Sequence, residues 1–144
     1  MEDFFNIILP HELGHIVFRE FVGFKRELPL WLDEGVVSYL EKGQKQERLM
    51  VAKAVAKTSY FVPLSMLNKT RPGIGMMPDV FYAEAASIIE FLVAAYGKDK
   101  FFGFCEALRS LRFDQGWFDA ARETYHFKDM GDMNKKWMEF LNQN

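Results

Sequence analysis

A mainly α-helical fold is what this sequence predicts, and three observations predict it. Apolar residues recur at three- and four-residue spacing along nearly the whole chain. No run alternates apolar and polar residues as a half-buried strand would. Pro, Gly and Asp fall at the joints between the periodic stretches, where helices start and stop. With 144 residues, 49% of them apolar and 16% aromatic, the chain can build a core, and a single helical domain over 1–144 is expected. A net charge of -2, from 18 basic and 20 acidic residues, supplies no basic stripe for nucleic acid. The longest apolar run, around 88–95, is broken by Glu84 and Glu90, too short for a membrane span and suited to a buried helix. Cys105 has no second cysteine to pair with and sits among phenylalanines, which reads as a small buried thiol.

The first helix is traced by Phe4, Phe5, Ile8, Leu13, Ile16, Val17 and Phe18, with Pro10 starting or kinking it and Gly23 ending it. Pro29 suits the first turn of a second helix that runs to about Glu41 and stops at Gly43. A third, more basic helix over about 44–57 interleaves Leu49, Val51 and Val55 with Lys45, Arg48, Lys53 and Lys57, the pattern of a solvated face. The stretch 59–78 holds Pro63, Pro72, Gly73, Gly75 and Pro78 and is expected to be irregular, at the border of a cleft. Asp79 is the expected N-cap of a helix over 80–96 closed by Gly97. Helices near 98–111, 115–125 and 132–142 follow, the last capped by Asp132.

The chemistry concentrates in His11-Glu12-Leu13-Gly14-His15. Histidines four apart on a helix differ by about 40° around the axis and about 6 Å along it, so both imidazoles can reach one metal ion. Glu12, rotated by about 100° from His11, lies beside the pair, where a carboxylate can take a proton from water without ligating. An ordinary amphipathic helix would spell this pattern by chance on the order of a few times in a thousand. With eighteen residues between it and His15, Glu34 stands in Trp31-Leu32-Asp33-Glu34-Gly35, far enough along for a second helix to return antiparallel and offer a third ligand. Two imidazoles and a carboxylate leave the fourth position of a catalytic zinc open, whereas one Cys and one spare histidine, His126, do not suit a closed structural site. Asp33 and Ser38 flank Glu34; either could orient an imidazole, and either fits a plain surface or packing role. Trp31 reads as core and His126 as a surface or packing residue.

His11-Glu12-Leu13-Gly14-His15 followed, after eighteen intervening residues, by the Glu34 of Trp31-Leu32-Asp33-Glu34-Gly35 resembles the gluzincins, zinc peptidases with a His-Glu-x-x-His pair and a later Glu. The spacing looks like the zinc aminopeptidase branch. The tail 82–141, with Tyr96-Gly97 and Lys136-Trp137, looks more like bacterial peptidase MA-like domains. The resemblance implies one Zn2+ held by His11, His15 and Glu34, with Glu12 as catalytic base. It also implies that Tyr82 hydrogen-bonds the tetrahedral intermediate, although Glu84 and Ala85 stand where aminopeptidases carry Lys and Gly. By its place in a first helical turn, Tyr82 fits packing equally well.

The expected function is therefore zinc-dependent hydrolysis of peptide or protein substrates by a helical catalytic subdomain. The small β-sheet that precedes the His-Glu-x-x-His helix in such enzymes, and the Gly-x-Met-Glu-Asn motif that grips a free amino terminus, are not in these residues. A signal or upstream domain is accordingly expected before Met1, with this chain part of a longer protein. The alternative is a zinc-binding helical scaffold without turnover; an intact Glu12 argues against it, since a scaffold has no use for a base.

Overall fold

The structure, a computed structural model, describes residues 1–41 and 43–143, Phe5 by its backbone alone. Among the described residues there is no strand, only an isolated bridge between Arg71 and Ile74, and the elements are helices. They are α1 (Leu9–Val22), α2 (Leu30–Leu40), α3 (Lys45–Val55), α4 (Leu64–Leu67), α5 (Pro78–Tyr96), α6 (Lys98–Arg109), α7 (Trp117–Tyr125) and α8 (Met130–Asn142). The expected mainly helical class holds, and no helix is long and apolar enough to cross a membrane.

Ahead of α1 the chain makes a π-helical turn, Phe4–Ile8, in which the Leu9 N–H reaches back five residues to the Phe4 carbonyl. Pro10 has no N–H to continue the α ladder, and the wider turn before it absorbs that gap. Phe18 and Val22 face inward from α1. Most of the expected apolar stripe does not: Leu13, Ile16 and Val17 are between 49% and 68% exposed, and Phe4 and Ile8 about half. The helical period is right, but these residues wrap around the cylinder, so the neighbours of α1 cover only one side. The Phe5 side chain lies outside the described residues.

The long α5 is the axle of the fold, contacted by α2, α3, α6 and α8, while α1 lies on α2 and α6. Glycine decides how closely these helices approach. A Cβ on Gly35 of α2 would sit 2.6 Å from the Ala85 carbonyl oxygen of α5, and one on Gly14 of α1 would sit 3.1 Å from the Val37 side chain of α2. Fully buried Trp31 donates its indole N–H to Asn68 and packs edge-on to Trp117, so it is core as expected. Trp137 donates to Ser87 across α8 and α5. Cys105 is buried, and burial pushes its thiol up to about 12, which leaves it inert.

Two helix starts differ from expectation. Because Pro78 takes the first helical position of α5, Met77 is its N-cap and Asp79 falls within the first turn, where a carboxylate still favours the helix dipole. In α8 the cap is Asp129, which accepts the Asp132 N–H at 2.7 Å; Asp132 instead accepts the Lys128 N–H from inside the helix. The expected caps lie two and three residues inside the helices that form. The stretch 59–78, expected to be irregular, contains the single turn α4, whose Leu64 and Leu67 are buried.

Two predictions follow from this packing. The clash at Gly35 is with backbone, which cannot rotate away, so Gly35→Ala should destabilise by about 1–3 kcal/mol or more, read as a lowered midpoint in urea. The Glu84 carboxyl is fully buried on α5; among the described residues it accepts one hydrogen bond, from the Val62 N–H at 3.0 Å, and its other oxygen has no partner. Burial raises its pKa to about 8, so the folded state holds a proton that the unfolded chain releases near pH 4.5. Stability should therefore fall by a few kcal/mol as pH rises from about 4.5 to 8 and level off above that. Glu84→Gln should flatten that slope; a slope unchanged in the variant would assign it elsewhere.

Candidate metal centre

Helices α1 and α2 meet antiparallel at Gly14 and Val37, and this crossing sets His11 and His15 against Glu34. The Nε2 atoms of the two imidazoles are 3.0 Å apart, and each lies 3.3 Å from Glu34 Oε2. All three side chains are half-buried. The opposite nitrogens are committed elsewhere. His11 Nδ1 donates to Glu41 Oε1 at 2.5 Å and His15 Nδ1 donates to Asp33 Oδ1 at 3.2 Å. Each carboxylate is backed by an arginine: Arg19 Nε donates to Asp33 Oδ2 at 2.7 Å, and Arg48 Nη1 lies 2.6 Å from Glu41 Oε2.

This network fixes the electronic character of the cluster. With Nδ1 carrying the proton in both rings, each Nε2 presents a lone pair. Two lone pairs and a buried carboxylate oxygen that lacks a hydrogen-bond partner among the described residues then face one another. Three acceptors at this distance repel unless a cation sits between them. The spacing suits zinc, for which ligands about 2.0–2.1 Å from the ion at tetrahedral angles stand about 3.3 Å apart. His11, His15 and Glu34 could therefore hold one metal ion.

Glu12 is exposed, makes no hydrogen bond or ion pair among the described residues, and helps wall a cavity of about 240 Å3 with His11 and Tyr82. Tyr82 reaches this cavity from the first turns of α5. Burial, then the Glu34 carboxylate, push its hydroxyl above the ordinary tyrosine value, so it remains protonated and able to donate at neutral pH. Three of the five residues singled out in the sequence, His11, Glu12 and Tyr82, thus wall one cavity, and His11 also meets His15 and Glu34.

The flanking residues divide. Asp33 meets an imidazole, whereas Ser38 is buried with its hydroxyl unpartnered among the described residues, and only its carbonyl takes part, accepting from Arg48 at 3.1 Å. The second imidazole is held instead by Glu41, which the sequence reading passed over. Seven residues, two helical turns, separate Glu34 from Glu41, a spacing that puts them on one face and would have found it. Arg48 corrects the view of α3 as merely solvated: it turns inward to Glu41, and Lys45 pairs with Glu90 of α5 at 2.8 Å. His126 lies away from the centre, in left-handed backbone at the end of α7.

A helical fold with two imidazoles and a carboxylate converging beside a free glutamate defines a metallopeptidase-like domain. A sequence model of the peptidase MA superfamily matches residues 5–143, and the chain belongs to that superfamily. No curated protein and no solved structure matches it.

The carboxylates behind the imidazoles should govern metal affinity without being ligands. Glu41→Ala and Asp33→Ala are each expected to weaken zinc binding by about ten- to a hundredfold, and Ser38→Ala to leave it nearly unchanged. Competition with a chelating dye measures all three, and a Ser38→Ala loss as large as that of Glu41→Ala would contradict the assignment.

Proposed function

We propose that the chain is the helical catalytic part of a zinc-dependent peptide hydrolase, with His11, His15 and Glu34 as the metal ligands, Glu12 as general base and Tyr82 as oxyanion donor. The observation that carries this reading is the convergence of two imidazole Nε2 atoms and one carboxylate oxygen beside a glutamate free to act. When bound, zinc supplies Lewis acidity toward the scissile carbonyl and makes water easier to deprotonate.

The chain's own residues do the rest. Glu12 removes a proton from water as the water oxygen bonds to the carbonyl carbon, and passes that proton to the amine nitrogen as the C–N bond breaks. Tyr82 walls the same cavity as Glu12, and its hydroxyl, still protonated at neutral pH, donates to the carbonyl oxygen as it gains charge. Asp33 and Glu41 keep both imidazoles in the tautomer that offers Nε2.

The full-length protein should contain one zinc per chain and cleave members of a mixed peptide library. Glu12→Gln, which keeps the volume and removes the basic oxygen, should retain zinc and lose about a hundredfold or more in turnover. Tyr82→Phe should also retain zinc and lose one donor, worth about 3 kcal/mol of transition-state stabilisation. Glu12→Gln protein that cleaves as fast as wild type would remove the base, and full-length wild type that holds zinc yet cleaves nothing would remove the hydrolase.

A further inference from the structure

Each imidazole of the centre is held by a carboxylate and each carboxylate by an arginine, but the two circuits close differently. His15 meets Asp33 in the first turn of α2, and Asp33 meets Arg19, one turn along α1 from His15 itself. That circuit runs between the two helices that carry the converging atoms, and every member stands within a helix. His11 meets Glu41, the residue at which α2 has already ended, with extended backbone at φ -64° and ψ 119°. A side chain at such a place is not fixed by its own helix and needs an anchor from outside.

Arg48 supplies that anchor from a third helix. Its Nη1 lies 2.6 Å from Glu41 Oε2 and donates to the Ser38 carbonyl at 3.1 Å. Ser38 is in the last turn of α2, where carbonyls run out of amide donors and a cation is favoured. Nη2 donates to Gln44 Oε1 at 2.7 Å, at the start of α3. One planar guanidinium therefore joins the end of α2, the start of α3 and the carboxylate behind His11. Lys45 ties the same turn of α3 down, donating to the Tyr39 hydroxyl at 3.3 Å and pairing with Glu90 of α5 at 2.8 Å. The Glu41 and Arg48 side chains are only 14% and 19% exposed, so their attraction is screened less than that of a surface pair.

We infer that Arg48 is the positioning residue of His11: by fixing Glu41 it sets which nitrogen of that ring carries the proton, and it makes α3 a partner of one imidazole and not of the other. The ring's tautomer follows from the hydrogen bond its Nδ1 makes, and that bond is as good as the hold on Glu41. The inference rests on the metal-ligand reading only for what Nε2 then binds, since the circuit is complete without an ion.

The test uses the full-length protein, first stripped of metal and read by proton–nitrogen NMR of its imidazoles at mildly alkaline pH. In wild type, His11 and His15 should both be protonated at Nδ1. In R48Q the His11 signals should move toward a mixture of tautomers while those of His15 stay in place, a selectivity that a general loosening of the fold would not produce. Zinc affinity, read by competition with a chelating dye, should fall about three- to tenfold in R48Q, less than on loss of Glu41 itself. In the E41A background the same change should cost less than about twofold, because residues acting through one another are not additive. R48K keeps the charge without the planar fork, should sit between wild type and R48Q in both readouts, and carries the test alone if R48Q does not fold.

A His11 spectrum unchanged in R48Q, or in R48K where R48Q does not fold, overturns the inference. So does an equal shift of His15, or a loss of zinc affinity as large in the E41A background as in wild type. If wild type takes up no zinc while His11 alone responds to Arg48, the positioning role stands and the metal site falls. If wild type binds zinc and neither His11 nor zinc affinity responds, the metal site stands and the positioning role falls.

Discussion

The close approach of α2 to its two neighbours is the constraint on which the rest of the molecule depends. At Gly35 the α2 backbone lies against the Ala85 carbonyl of α5, and at Gly14 the α1 backbone lies against Val37 of α2. Without a side chain at either point, helices separated in sequence come near enough for groups on three of them to share one small space. Glu34 precedes Gly35, His15 follows Gly14, and Tyr82 is one turn from Ala85, so each chemical group stands beside a contact that fixes its distance. The glycines of both motifs set geometry as surely as the histidines set chemistry.

Electrostatic balance explains why the centre needs so many charged neighbours. Asp33, Glu34, Glu41 and Glu12 bring four carboxylates to the crossing, and Arg19 and Arg48 bring two guanidiniums. The cluster is two charges short of neutrality, the charge of one divalent ion. Each arginine binds the carboxylate behind an imidazole rather than Glu34. Their charge is thereby kept away from the three converging acceptors while the imidazoles stay oriented.

What could be read from the sequence was what local geometry determines. A four-residue histidine spacing works on any helix, and the eighteen-residue return to Glu34 needs only two antiparallel helices, so the convergence of His11, His15 and Glu34 and the helical class were legible. The place of Tyr82 beside them was suggested only through resemblance, since nothing local distinguishes it from a packing tyrosine. Arg48 was illegible for a different reason: its role depends on α3 folding back over the end of α2, and a period of 3.6 cannot report which neighbour a face meets. Ser38 was a reasonable candidate one turn after Glu34, but the imidazole is reached by a longer side chain one turn later. At α1 the apolar pattern promised more burial than the described neighbours supply, because hydrophobicity records what a face prefers and not what covers it.

The sparse covering of α1 has a mechanical consequence. This helix is held by α2 and α6 on one side, with Arg19 bridging to Asp33 and the Arg26 carbonyl at its end. It carries both imidazoles and Glu12, while Glu34 sits on α2. An ion in the centre would act as a rivet between two segments eighteen residues apart, raising the free energy of peeling α1 away by the ion's own binding energy. Chelation would loosen that helix before the α2–α5 body, and most of the fold would endure.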